Sequence, residues 1–428
     1  MQRFVAPEPD QTKSKHQDFS SETPQAQAAT NPHTLRQCIR AEVGIMGKEY
    51  LQRCLELGAI DLPQDMWRPF VNLLLSVERE SFLVDWTDSS GGRRRTTVVG
   101  VQIGYNTFGE VQFTAEDTGD GLLITALNQL LANAMEAPGV WGGAAVAILA
   151  DHSTMSQEDR TTLINAAVRQ ARPAFGEAVF PAPPMTSADI HALSTWHAGP
   201  NTDGPLVCPV AHILGRHAAM ALRVGQDLLP HGVHRALRVR IVGEVGVRDA
   251  LSVATEAGMR VVACRLGEHT VVDAVGLDLS QVRELARVGL EEFSQGHPTT
   301  VCVDRVPTVL EYDAVLFLPE ANPPTIAQVD RILGEAMIAV ETYPLLGRHA
   351  RELRRRGLVL IPPYLAGVSA ALALDRRPDA QMREALARKT TAVLTQCRRE
   401  GHDASLTEGC EALAMTGLIT AWRREGFL

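Results

Sequence analysis

Apolar positions along the chain recur with two periods. From Thr34 they fall at helical spacing, Leu35, Cys38 and Ile39 and then Leu51, Cys54 and Leu55, and Met66 to Val77 continues the pattern. Two strand-like runs follow, Phe82 to Trp86 and Thr96 to Gly104, joined by the turn formers Ser89-Ser90-Gly91-Gly92. Leu122 to Met135 predicts an amphipathic helix that ends before Pro138. The segment Pro138 to His152 reads as a glycine turn at Gly142-Gly143 feeding a strand. A helix follows from about Ser156, with Glu158 and Asp159 in its first turn. Proline keeps Phe180 to Pro184 extended.

The pattern is sharpest between Ala236 and Cys264. Leu237, Val239 and Ile241 alternate as in a buried strand, Gly243 and Gly246 punctuate a turn, and Ala250, Val253 and Ala254 share one helical face. Gly258 ends that helix and Val261 to Cys264 starts a second strand. Strand, glycine turn, helix and parallel strand form a βαβ unit of the dinucleotide-binding type. Its glycines would bring backbone close to a pyrophosphate at a helix N-terminus. Only Gly243-Glu244-Val245-Gly246 of the G-x-G-x-x-G signature is legible. Glu244 places a carboxylate near the phosphate position, and Arg265 stands where an acidic residue is expected. The unit therefore reads as one that binds nucleotide poorly or not at all. Further strands are expected at Thr300–Val303, Ala314–Leu318, Met337–Val340 and Leu358–Ile361, alternating with helices, so a doubly wound parallel sheet is expected. From Pro378 the chain reads as helical, with Ser405-Leu406-Thr407-Glu408 as a capping box.

Composition narrows the classes. With 428 residues the chain has room for two or three domains. The first 33 or so are rich in Gln, Ser, Pro and Ala and read as a disordered tail. No apolar run is long enough to span a membrane, and the N-terminus shows no signal-peptide core. Seven cysteines without C-x-x-C spacing fit reduced thiols in a cytoplasm, and exclude a disulfide framework or zinc module. A net charge of −9 argues against nucleic acid, and Arg93-Arg94-Arg95 reads as a hairpin tip.

The order of these features resembles the glutamate/leucine/phenylalanine/valine dehydrogenase family over nearly the whole chain after the tail. The landmarks are Trp141-Gly142-Gly143 running into Ile148-Leu149-Ala150-Asp151, Pro181-Ala182-Pro183, Gly215-Arg216, the βαβ unit, Leu318-Pro319-Glu320-Ala321, Val340-Glu341, Gly357 to Ala366, and Thr416 to Arg424. The resemblance implies an α/β fold of two domains facing one cleft, the second Rossmann-type and doubly wound. It divides the chain into a tail (1–33), an N-terminal α/β domain (34–205), a Rossmann-like domain (206–376) and C-terminal helices that pack back on the first domain (377–428). It also implies homo-oligomers, or hetero-oligomers with a paralogue, and a small amino or keto acid as ligand; the family's cofactor is NAD or NADP, but with the glycine signature incomplete no cofactor is expected here.

The family's reaction needs a lysine that activates water, an aspartate that shuttles protons and a lysine that holds the substrate carboxylate. On this sequence the catalytic lysine falls on Ala145, the aspartate on Pro184 and the carboxylate-binding lysine near Leu131. The strand that carries two charges in the family corresponds to Val98 to Gln102, which has none. The cofactor-side asparagine falls near Pro344, and Gly367-Val368-Ser369-Ala370 replaces a further nucleotide turn. The resemblance thus implies a dehydrogenase scaffold without oxidative deamination: a regulatory or assembly protein, or a non-redox enzyme acting on an amino or keto acid. A conventional NAD(P)-dependent dehydrogenase is the third reading. The polar and glycine candidates left for a cleft are Gln102, Gly142, Gly143, Asp151 and His152, with Gly243 and Gly246 for a cofactor. The histidines at 191, 197, 212, 217, 231 and 234 lack zinc spacing, no metal site is expected, and Asp203 reads as a turn residue.

Overall fold

The computed structural model describes residues 77–105, 107–115, 120–136, 141–171, 178–181, 186, 188–189, 209–229, 235–266, 269–297, 300–303, 310–320, 324–334, 336–343, 345–346, 350–367, 379–400 and 405–425. The expected tail and first helices lie outside them.

The first sheet opens with a hairpin. Strands β1 (Val77–Thr87) and β2 (Arg93–Tyr105) pair antiparallel from Val77 opposite Ile103 to Thr87 opposite Arg93. At its tip the Asp88 carboxylate accepts hydrogen bonds from the Ser90 and Gly92 backbones at 3.0 and 2.7 Å. Arg94 and Arg95 pair with Asp88 and Asp85, each at 2.7 Å. The arginine run is thus the hairpin end foreseen from sequence. Next come β3 (Thr107–Thr114), helix α1 (Asp120–Glu136), β4 (Trp141–Leu149), helix α2 (Gln157–Ala171) and β5 (Ala178–Pro181). The strand order is β1-β2-β4-β3-β5, with β4, β3 and β5 parallel.

Both faces of β4 are covered, which explains its unbroken apolar run Ala144 to Leu149. Ala145 and Ala147 face α1, while Val146 and Ile148 face Leu163, Ile164 and Ala167 of α2. One expectation fails here: Gly142 and Gly143 are residues of β4, not a turn before it. Gly143 serves packing, because a Cβ there would lie 2.1 Å from the Ala126 carbonyl oxygen and 2.2 Å from the Leu130 nitrogen.

The second sheet is built from β6 (Arg238–Val242), β7 (Arg260–Leu266), β8 (His269–Leu277), β9 (Thr300–Val303), β10 (Ala314–Phe317), β11 (Ile338–Glu341) and β12 (Val359–Ile361). Its order is β12-β11-β10-β6-β7-β8-β9. Helix α3 (Pro209–Asp227) precedes it and α4 (Val247–Glu256) follows β6. Helices α5 (Leu279–Val288) and α6 (Leu290–Gly296) precede β9, and α7 (Ile326–Leu333) and α8 (Ala350–Arg355) link the later strands. Residues of α3 and α4 share a core with Ile241, Leu316 and Val340, whereas Val329, Leu333 and Leu353 of α7 and α8 pack with Val315, Phe317 and Ala339. The sheet is therefore doubly wound, but it is not all parallel. β8 runs antiparallel to β7 and to β9, because β7 and β8 form a hairpin where a crossover helix would make a parallel strand.

Short α9 (Pro363–Ala366) leads on to α10 (Asp379–Glu400) and α11 (Leu406–Glu425). The capping box at the start of α11 forms as expected: Ser405 N donates to the Glu408 carboxylate at 2.7 Å, and Glu408 N to Ser405 Oγ at 3.2 Å. Helices α10 and α11 pack on each other, and α11 packs along α1. Tyr364 of α9 places its hydroxyl 3.1 Å from Asn128 Oδ1 of α1 and 3.3 Å from Glu411 of α11. No helix among the described residues is long and apolar enough to cross a membrane.

The Gly143 contact generates a test. Gly143→Ala forces α1 away from β4, and overpacking of this kind costs about 1–3 kcal/mol. Urea denaturation should show a lower midpoint at unchanged slope. An unchanged midpoint would mean that α1 does not depend on this close approach.

Candidate functional site

The positions that sequence comparison singled out do not converge. Ala145 is completely buried in the middle of β4, opposite Val101 on β2 and Glu110 on β3. Leu131 is a core residue of α1, also completely buried. Gln102, Gly142 and Gly143 lie toward the start of β4, Gln102 pairing with Ala144 and its amide donating to Glu78. Asp151 and His152 lie beyond the other end, roughly 25 Å away at the usual strand rise. Asp151 is exposed and caps a short 3₁₀ turn through Ser153, and the His152 ring stacks on Phe113 at 6.3 Å. Two ends of one strand cannot line one cleft. Pro184, Pro344, Val368 to Ala370, Asp203 and His191, His197, His231 and His234 lie outside the described residues. His217 is a buried histidine with Nδ1 3.2 Å from the Ala366 carbonyl oxygen, and burial lowers its pKa. No group of three or more His, Cys, Asp or Glu among the described residues is placed to hold a metal ion.

What lies beside Ala145 is a carboxyl that sequence reading missed. Glu110 faces α1, and Gln129 of that helix donates its side-chain amide to Glu110 Oε1. Burial pushes the Glu110 pKa up to about 7. Such a group can hold or release a proton near neutrality, the property a general acid or base needs. The signal was hidden because Gly109-Glu110-Val111-Gln112-Phe113 reads as a strand with one solvated face. Helix α1 covers that face.

The second cluster surrounds the glycine turn, where adjacent β6 and β10 send their helices to opposite faces of the sheet. In doubly wound folds this switch point is the ligand crevice. By spacing, Gly243 and Gly246 match the second and third glycines of the dinucleotide signature, and the missing first one falls on Ile241, which is buried in β6. Gly243 has φ 114° and abuts the Leu318 carbonyl, 2.2 Å from where its Cβ would lie. Gly246 has φ 77°, and a Cβ on Gly215 of α3 would lie 2.0 Å from its carbonyl oxygen. Both glycines thus have packing reasons to exist. The turn amides of Glu244 and Val245 donate to the Pro319 carbonyl at 3.1 and 3.0 Å. Arg265 pairs with Glu244 at 2.8 Å.

Glu320 follows β10 in the same crevice. Burial, together with repulsion from Glu244, raises its pKa to about 7 against the attraction of Arg265. NAD(P), which this fold implies, fits these residues poorly. Its pyrophosphate would have to displace Pro319 from the turn amides and settle beside two carboxyl groups. One unit of like charge 4 Å away costs about 4 kcal/mol near a protein surface.

No protein-family model matches this chain, and no curated protein matches it. Solved structures do. Glutamate dehydrogenase of Plasmodium falciparum superposes with a TM-score of 0.66 over 96% of this chain and 97% of its own, at 12% identity. The hetero-hexameric glutamate dehydrogenase of Thermus thermophilus, solved in a leucine-bound form, superposes at 0.62 over 88% and 95%, at 18% identity. That of Peptoniphilus asaccharolyticus superposes at 0.57 over 93% and 100%, at 15% identity. The chain has the two-sheet fold of these dehydrogenases nearly end to end.

The raised carboxyls make stability depend on pH. Folded Glu110 keeps its proton up to about 7, whereas the unfolded chain releases it near 4.5. The native state therefore binds more protons across that window, and its stability falls as pH rises through it. Below about 4.5 the contribution is fully present. Glu110→Gln should remove this part of the slope, on the order of 3 kcal/mol between the two limits. Denaturant titrations of both proteins across this range measure it. Equal slopes would show that Glu110 ionises as an ordinary glutamate.

Proposed function

We propose that this chain, a protein of the glutamate dehydrogenase fold, carries out no hydride transfer and acts as a binding or assembly subunit. The observation that carries the reading is the glycine turn. The amides of Glu244 and Val245 donate to Pro319, the Glu244 carboxylate pairs with Arg265, and the Glu320 carboxyl is near enough to Glu244 to feel its charge. Two amide donors and the charge balance that a dinucleotide would need there are thus engaged by the chain's own groups, which supports the reading. The position matched to the catalytic lysine, Ala145, supports the same reading, since it is buried under α1 and has no ionisable group. Assembly is supported by β1, an edge strand of 11 residues that pairs only with β2 among the described residues and leaves Leu83 62% exposed. Long open edges are templates for pairing with another chain. The Thermus structure is a hetero-hexamer, and we infer a homo-oligomer or a mixed oligomer with a paralogous subunit for this chain.

A second reading rests on Glu110. A half-neutral carboxyl held by Gln129 beside β4 suits acid–base chemistry on a small amino or keto acid without any redox step.

Titration with NADH and NADPH, followed by nucleotide fluorescence and thermal shift, decides between the binding-subunit reading and a working dehydrogenase. The expected outcome is no saturable binding up to millimolar nucleotide. Saturation in the micromolar range would overturn the proposal and restore a redox role.

A further inference from the structure

Helix α9 is only four residues long, yet it touches α1 of the first domain, α3 and β11 of the second, and both C-terminal helices α10 and α11. The sequence explains its placement. Pro362 and Pro363 end β12 and open the helix, where proline sits in a first turn that needs no amide donor. Leu365 and Ala366 are completely buried in the core that both sheets share. A Cβ on Gly367 would lie 2.5 Å from the Pro363 carbonyl oxygen and 3.0 Å from that of Thr342, so the exit from α9 is as tightly set as its entry. On the side of the second sheet, His217 of α3 places Nδ1 3.2 Å from the Ala366 carbonyl oxygen.

Tyr364 is the polar side chain of this helix, and it is buried. Its hydroxyl lies 3.1 Å from Asn128 Oδ1 of α1 and 3.3 Å from Glu411 Oε1 of α11, residues 236 and 47 positions away in the chain. One oxygen atom carried by α9 therefore reaches two other helices. A phenol has one proton and two lone pairs. Turning the Asn128 amide by 180°, which leaves its outline unchanged, lets Nδ2 donate to the phenol oxygen while the phenol donates to Glu411. Both contacts are then hydrogen bonds at once, in surroundings where such chains reinforce one another.

We propose that the Tyr364 hydroxyl is a latch between the two halves of the molecule. It ties α9, the exit of the second sheet, to α1 on the first sheet and to α11, so that these three helices open together and not one at a time. Apolar contacts around it are non-directional and fix no single arrangement. Two hydrogen bonds to one oxygen set both distance and direction. The latch also reaches the Glu110 cluster, because Asn128 precedes Gln129, whose amide donates to Glu110. Release at Tyr364 would free the helix turn that carries that contact.

The test is hydrogen exchange followed by mass spectrometry, on the full chain and on Tyr364→Phe, which removes one oxygen atom and keeps the ring in the core. Exchange in α9, in the α1 turn around Asn128 and in the α11 turn around Glu411 should rise together by about fivefold, the range expected for loss of one net hydrogen bond. The β1–β2 hairpin and the β6–α4–β7 unit should keep their protection. Asn128→Ala cuts the α1 arm alone, and added to Tyr364→Phe it should raise exchange by less than about twofold more, since that bond is already gone. Faster exchange confined to α9, a uniform rise across both sheets, full additivity of the two substitutions, or unchanged exchange would each overturn the latch.

Discussion

Helix α1 lies against β4 at a distance only glycine permits, and the rest of the architecture builds on that contact. A methyl group at Gly143 would overlap the helix backbone at Ala126 and Leu130. Because α1 comes so close, it covers β2, β3 and β4 on one side and still presents its other side to α9 and α11. Leu127 and Leu130 belong to the same continuous core as Leu316 of the second sheet and Met415 and Leu418 of the last helix. The two sheets are thereby joined through one apolar mass.

The same close packing has chemical consequences. A helix laid flat on the sheet buries Ala145 and covers most of Glu110. Desolvation then raises its pKa, and Gln129 supplies the hydrogen bond that bulk water would have given. At the other sheet, the glycines that resemble a nucleotide signature are used for contact between segments of the chain itself. Gly243 meets Leu318 and Gly246 meets Gly215. Glycine permits close approach of backbone whether the neighbour is a phosphate or a carbonyl, so the same pattern serves either purpose.

The two clusters have a common electrostatic character. Where dehydrogenase chemistry needs cationic lysines and free amide donors, this chain presents Ala145 and Leu131 in the core, amides capped by Pro319, and carboxyls at 110, 320 and 341 held near neutrality by burial.

The local periodicities by themselves determined much of the architecture. The β1–β2 hairpin, α1, the β6–α4–β7 unit, β10 to β12 and the Ser405 capping box are all legible, because each rests on contacts within a few residues or on one buried face. The chemistry open to position 145 was legible too, since an alanine cannot carry a proton wherever the chain places it. Tertiary structure alone decided the rest. The reversed β8 depends on which neighbour a strand pairs with, and periodicity is blind to that. The membership of Gly142 and Gly143 in β4, and the separation of Gln102 from Asp151 and His152 by the length of that strand, are equally matters of register. Glu110, Glu320 and Glu341 read as ordinary polar residues in sequence. They acquire chemistry only when helices and strand ends from distant segments exclude water from them, because desolvation is a property of the assembled surroundings and not of the residue.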